Sequence, residues 1–383
     1  MSGEVREGKE AEGARGGVRN LGLTRGEARN LALGGKWNEV VRRFEEVLST
    51  SGVDVGLDEE GRPRQDLCLL TYYFWALFRL RRNLTIAEKL GNLAPVLEVA
   101  STEAGAAEPK APFLLLWIHA ENPIHAGDAA TGLARLYGLL HASRLLRDHY
   151  EEKLQFDVGS AEVVPLSDLD APGPESAAST ASLRHAWDRR TKMVLCVTAC
   201  HHCGLKQYKP ALKLLSGLVK TDPDPQYVSM MAYVLLQLGD VASASKVAEA
   251  VGPPESAEQK TLRANLEGVV SFASGDFKAS IAKFQEATSH LPSDPVSNNN
   301  LAVGHMYARD LHVSIKILEN KLAEDHTLAL RQPVVLNLCS MYELASTKSK
   351  ESKQTLHTWI LKMASDDFDV RTTRLASSSS PSS

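Results

Sequence analysis

Hydrophobic and polar positions repeat every 34 residues through the C-terminal half of this chain. From Gly268 the order is Gly268, Gly275, Phe277, Ser280, Phe284, Ala287 and Pro292. Moved on by 34 it becomes Ala302, Arg309, Leu311, Ser314, Leu318 and Lys321. Small residues recur at the first and fourth places, and large apolar ones at Phe277/Leu311 and Phe284/Leu318. Apolar side chains spaced three, four and seven apart share one face of an α-helix. Two earlier units follow the same pattern. One has Tyr208, Ala211, Leu215, Leu218 and Pro223; the next has Ala232, Gly239, Val241, Ala244, Ala248 and Val251. Successive units begin 33, 36 and 34 residues apart, the 36 reflecting a longer connector at Gly252-Pro253-Pro254. A looser pair of helices covers about Gln332 to Ala364, as expected of a terminal unit with one face in water.

A 34-residue period with this small–large spacing is the signature of the tetratricopeptide repeat, two antiparallel helices per unit. One helical hairpin cannot bury its own apolar face, so units must stack. The fold class expected is all-α: a right-handed α-solenoid of tetratricopeptide-type helical hairpins.

The N-terminal half carries the pattern less regularly. Gly34-Gly35-Lys36-Trp37 reads as a turn into a second helix, with Trp37, Val40 and Phe44 in the places of Phe277, Ser280 and Phe284. Asp66 to Arg82 is apolar nearly all round and should be buried between neighbours, with Leu84 to Ala100 as its partner. Gly127 marks the inner turn of another pair, whose second helix carries Leu133, Leu136 and Leu140. Pro123 falls inside the first helix of that pair, where it removes a backbone donor and should end or kink it early. The segments expected are a disordered stretch at 1–19, helical repeats at 20–154, a Pro- and Ser-rich insert at 155–182, the regular repeats at 183–375 and a disordered tail at 376–383.

Composition narrows the function. The 383 residues are 43% hydrophobic and 23% charged, with Lys+Arg 43 against Asp+Glu 47 and a net charge of −4. No dense basic block stands out, which argues against nucleic acid and against a polybasic membrane anchor. The longest apolar stretches, Leu67 to Phe78 and Phe113 to Ile118, fall short of the ~20 residues a bilayer span needs. The charged, Gly-rich N-terminus has no apolar stretch to act as a signal peptide. Any membrane association is therefore expected to be indirect, through partners. Five cysteines are too few and too clustered for a disulfide framework in a chain this long, and point to a reducing cytosol.

Candidate chemistry is sparse. Cys196, Cys200 and Cys203 lie four and three residues apart on one helix face, with His201 and His202 between the last two. Thiolates and imidazoles ligate zinc, but His202 falls at a hairpin-packing position and His201 points elsewhere. There is no second C-x2-C pair, and the helix offers no convincing fourth ligand. Small packing residues lining a groove are the simpler reading. His119, Glu121 and His125 do not match the order of a zinc protease helix, and Pro123 interrupts their alignment. Gly34-Gly35-Lys36-Trp37 lacks the leading Gly and the Ser or Thr of a phosphate loop, and no nucleophile elbow is present. No catalytic residue, metal, cofactor or small-molecule substrate is expected. The two-carboxylate clamp of chaperone-binding repeats would need a Lys/Asn pattern that Asn265, Val269, Asn300, Pro333 and Asn337 match at one place in five. The inner groove is the best functional surface, with Asn265, Phe272, Asn299, Asn300 and Met306 as candidate partner-binding residues.

Particular stretches carry a closer likeness. Val335-Leu336-Asn337-Leu338-Cys339-Ser340-Met341-Tyr342-Glu343-Leu344 and its sequel through Lys353-Gln354-Thr355-Leu356 to Arg374-Leu375 resemble the closing segment of the trafficking protein particle complex subunit 12 family. So do Leu70 to Trp75, Cys203 to Leu215, and Asn298 to Tyr307 with Ile315 to Glu319. The resemblance runs from about Leu31 to Leu375. The insert from Gln155 to Thr180 departs from it, and animal members carry a long N-terminal region with little counterpart here. The resemblance implies a non-catalytic scaffold or adaptor subunit of a vesicle-tethering complex in endoplasmic reticulum-to-Golgi traffic, with links to autophagy. In that family, nucleotide exchange on a Rab GTPase belongs to the core of the complex. This subunit would be cytoplasmic, peripheral on endoplasmic reticulum and Golgi membranes, and close to other large subunits such as the eighth and eleventh. The alternatives are a stand-alone peptide-binding adaptor such as a co-chaperone and, further off, a zinc or thiol-redox protein built on Cys196 to Cys203.

Overall fold

The computed structural model describes residues 23–98, 101–102, 105–106, 109–155, 167–168, 179–249, 254, 256–345 and 349–374. The stretches expected to be disordered at either end lie outside these residues, as does most of the insert. Among the described residues the chain is a succession of helical hairpins. They are α1 (Arg25–Leu33) with α2 (Trp37–Ser51), α3 (Leu67–Arg79) with α4 (Asn83–Gly91), and, after the single turn α5 (Ala94–Leu97), α6 (Phe113–His125) with α7 (Ala129–Leu154). Next come α8 (Thr180–Gly204) with α9 (Tyr208–Thr221), α10 (Pro225–Gln237) with α11 (Val241–Glu249), and α12 (Ala257–Ala273) with α13 (Phe277–His290). The series ends with α14 (Pro295–Tyr307) and α15 (Leu311–Glu324), the turn α16 (His326–Ala329), α17 (Gln332–Ala345) with α18 (Ser349–Met363), and a 3-10 turn at Val370–Thr373. A two-residue antiparallel pair joins Ser101–Thr102 to Gly105–Ala106.

The local chemistry of the hairpins repeats as closely as their packing. In the seven such turns from α1–α2 to α14–α15, all among the described residues, one residue sits in the left-handed region. Those residues are Gly35, Arg81, Gly127, Lys206, Gly239, Gly275 and Arg309. Where the next residue is aspartate, its side chain caps the second helix. Asp128, Asp240, Asp276 and Asp310 accept from the backbone N–H groups of Thr131, Ser243, Ala279 and Val313. This satisfies donors that a helix start otherwise leaves open. First helices begin on Asp-Pro at α10 and α14, aspartate capping and proline pre-set for the first turn.

Each hairpin packs on the next, and the first helices of successive hairpins (α10, α12, α14, α17) also touch along the stack. The small–large pairing sits where the period places it. A Cβ on Gly268 would lie 2.5 Å from the Phe284 ring, so only glycine lets α12 approach α13 this closely. The largest core runs unbroken from α1 to α9, with Phe113 and Trp187 edge to face at 6.0 Å across α6 and α8.

Two local expectations change, and the one for α3 holds. The helix expected from Leu84 to Ala100 stops at Gly91, and Pro95 starts the short α5. α3 is buried nearly all round as its pattern predicts, with Leu67, Tyr72, Trp75 and Phe78 half-buried against the same core and Arg79 exposed. Helix α6 passes through Pro123 and ends two residues later. The carbonyl of His119, which an N–H at position 123 would have bonded, accepts from the Arg135 guanidinium at 3.2 Å. Arg135 thus makes good the donor that proline removes.

The ends of the stack meet. The loop after α18 returns to the first hairpin, where the Trp37 indole N–H donates to Asp367 Oδ1 at 3.1 Å and the Asn38 N–H to Asp366 Oδ2 at 2.9 Å. The Asp366 N–H donates to the Gly35 carbonyl at 3.2 Å. Arg79 pairs with Asp367 and lies 5.4 Å over the Trp37 ring. The period predicts hairpins that share apolar faces only with sequence neighbours; among the described residues this polar clasp also joins the last hairpin to the first.

Candidate functional site

The predicted groove residues lie on the first helices of the C-terminal hairpins. Asn265 of α12 is 2% exposed. Its Nδ2 donates to Ser297 Oγ at 2.6 Å, and its Oδ1 accepts from Asn300 Nδ2 at 3.4 Å. Asn299 accepts from Asn337 Nδ2 at 2.8 Å on α17. The amides therefore form a ladder that joins α12, α14 and α17. Phe272 meets the exposed Tyr307 ring at 4.9 Å and Phe277 at 5.3 Å. Met306 packs half-buried against the C-terminal core. The surface these residues offer is an aromatic and thioether edge above a hydrogen-bonded amide floor.

A second surface had no signal in the sequence. An open cleft of 1050 Å³ lies between α7, α8 and α9. Its lining includes Arg144, Arg147, Arg184, Lys192, Lys209 and Lys213, with Asp188 and Asp222 as the carboxylates. Lys192 spans both of these at 2.8 and 2.6 Å, and Arg147 and Arg184 pair with Asp148 and Glu151 at 2.7 and 2.5 Å, so the net cationic character of the lining comes from Arg144, Lys209 and Lys213. The cations are spread over three helices, Arg144 and Arg147 on α7, Arg184 and Lys192 on α8, and Lys209 and Lys213 on α9. A search for a dense basic run passes over them.

The Cys196–Cys203 helix face lines a shallower cleft of 370 Å³ shared with Leu215, Met230 and Tyr233, reached by Cys200 and Cys203. Burial pushes the Cys196 thiol up to about 11 and raises Cys200 and Cys203 as well. Protonated thiols are poor nucleophiles and poor metal ligands. His202 is a packing residue, held between the Tyr137 hydroxyl at 2.8 Å and Gln207 Oε1 at 2.7 Å. His201 turns the other way, to Glu121 of α6 at 2.8 Å. Glu121 also meets His125 at 3.3 Å. Pro123 does not separate this pair, because the helix runs through it. His119 stands outside the group, its pKa pushed down to about 4 by burial and by the charge of Arg135.

Among the described residues no helix is long and apolar enough to cross a membrane. No protein-family model matches the chain. Among curated proteins it is similar to trafficking protein particle complex subunit 12 of Mus musculus, 27% identical over 271 residues. That match covers 69% of this chain and 32% of the mouse protein. The Homo sapiens protein of the same name is 26% identical over 271 residues, covering 69% of this chain and 35% of its own length. The match thus spans about a third of the curated relatives. Among solved structures, a thermophilic TPR protein of Thermus thermophilus aligns with TM-score 0.37 and 16% identity, covering 47% of this chain and 95% of its own. A tetratricopeptide repeat protein of Parabacteroides merdae aligns with TM-score 0.37 and 13% identity, covering 67% of this chain and 96% of its own. The chain is an all-α solenoid of tetratricopeptide-type hairpins, similar in sequence over most of its length to trafficking protein particle complex subunit 12.

Proposed function

We propose that the protein is a non-catalytic scaffold subunit of a vesicle-tethering complex of the trafficking-protein-particle type, acting between endoplasmic reticulum and Golgi. The observation that carries this reading is the 271-residue similarity to subunit 12. The physical form suits the role. Stacked hairpins present long side-chain surfaces while their cores are satisfied internally. Partners are other subunits of the complex, and the protein reaches membranes through them.

Two surfaces serve as docking sites in this reading. The edge formed by Phe272, Met306 and Tyr307, above Asn299 and Asn300, accepts an apolar partner segment. The cationic cleft accepts an acidic one, because complementary charge steers encounter and fixes register. The test is co-purification from cells of the full chain and of a Lys209→Glu/Lys213→Glu variant. The reading expects tethering subunits with the wild-type chain and markedly less recovery with the variant. Recovery of chaperones alone, or of nothing, contradicts it.

A further inference from the structure

We propose a divalent transition-metal site, zinc in the first instance, formed by Glu121 and His125 of α6 and His201 of α8. The three ligand atoms lie within 4.8 Å of one another. Glu121 Oε1 stands 2.8 Å from His201 Nε2 and 3.3 Å from His125 Nε2. Tetrahedral zinc with bonds of about 2.0–2.1 Å sets its ligands about 3.3 Å apart, so small side-chain adjustments complete the edges. Two imidazoles and one carboxylate are donors that zinc accepts, whereas magnesium and calcium prefer oxygen alone.

A second observation points to the same place. Glu121 is 7% exposed, and its Oε2 is buried with no hydrogen-bond partner. A buried carboxylate oxygen left unsatisfied is costly. Meanwhile two imidazole N–H groups converge on the other oxygen. A cation at the centre takes the Nε2 lone pair of each imidazole, a neutral ring then carrying its proton on Nδ1 and a charged ring releasing its Nε2 proton to solvent, and it takes up the charge that the buried carboxylate carries. His125 is half-exposed, which gives the ion a route in and leaves a coordination position for water. Because Glu121 and His201 are 80 residues apart, the ion would tie α6, the first helix of one hairpin, to α8, the first helix of the next. A structural tie of this kind is compatible with a protein that performs no chemistry.

The test uses the full chain, stripped of metal with a chelator and titrated with zinc chloride, with magnesium and calcium as controls. The proposal expects one zinc per chain, a rise in melting temperature on binding, and no response to the two controls. His125→Ala, the most exposed of the three, and His201→Gln each weaken zinc binding by more than the roughly 10–100-fold that loss of an outer partner costs. Cys200→Ser/Cys203→Ser leaves it unchanged. A wild-type chain with full helical circular dichroism and no stoichiometric zinc overturns the proposal, whatever the variants do. So does binding that survives both histidine substitutions and disappears with the cysteine pair.

Discussion

Trp37 and Asp367, 330 residues apart in sequence, are joined by an indole N–H to carboxylate hydrogen bond of 3.1 Å. Around it Arg79 adds charge, and Gly35 allows the close approach. Gly35 has φ +66, and a Cβ there would fall 2.6 Å from that of Ser365. Glycine is required at this turn both for its backbone angle and for the space.

Breaking this clasp should free both ends without melting the middle. Asp367→Asn is expected to cost about 1.5–3 kcal/mol, the range for a hydrogen bond to a charged group. Hydrogen exchange should rise in α2 and in the 3-10 turn while α10 to α13 stay protected. The effect carries a pH signature. Burial acts to raise the Asp367 pKa, but the Ser365 hydroxyl and Arg79 overcome it, and the pKa is lowered. A carboxyl depressed on folding stabilises fully above its unfolded pKa of about 3.9 and loses that contribution as pH falls through the lower folded value. The stability gap between wild type and Asp367→Asn should therefore be constant near pH 7 and close only in strong acid. Equal exchange at both ends in the two proteins would show that the clasp does not form.

Asp168 should prove more costly to lose than any exposed charge. Arg190, 3% exposed, lies between the Phe113 and Trp187 rings and donates to Asp168 Oδ1 at 2.9 Å. Arg189 reaches the same carboxylate with two bonds of 2.8 Å. Asp168→Ala leaves a buried guanidinium without its counter-ion, which typically costs about 3–5 kcal/mol. Chemical denaturation should show a loss of that size. Arg190→Met with Asp168→Ala should recover much of it, since an apolar pair needs no counter-charge.

Gly268→Ala tests the period itself. The added methyl meets the Phe284 ring, and overpacking of this kind costs about 1–3 kcal/mol. Phe284→Leu in the same chain should relieve part of the loss, giving a favourable coupling in a double-mutant cycle. Simple additivity would mean that the two helices do not pack as described.

Thiol chemistry gives an independent check on the cysteine face. With Cys196 pushed to about 11 by burial and Cys200 and Cys203 also raised, alkylation near pH 7.5 should be slower than for a free thiol of pKa about 8.5. The rates should climb steeply above pH 9. Rapid modification at neutral pH would instead indicate an activated thiolate.

The regular repeats were legible because their contacts are local. A small residue at Gly268 and a ring at Phe284 recur at fixed spacing, and spacing is what a single sequence displays. Asn265 and Asn300 were placed on the right helices, but the hydrogen bonds that turn them into the stack depend on a neighbouring hairpin. The long-range meetings left no such trace. Nothing around Trp37 announces Asp367, and the sequence that turns His201 away from the cysteine face does not name Glu121 of α6 as its partner. Pro123 removes a donor, as its residue type dictates, but Arg135, twelve residues on, gives the orphaned carbonyl a partner, and nothing local to Pro123 signals that.

Native mass spectrometry of the assembly isolated from cells tests the central claim most directly. The account predicts a discrete heteromeric mass in which this chain is held in fixed ratio with tethering subunits. Recovery of the chain alone at 41.7 kDa, or bound only to chaperones, would contradict it.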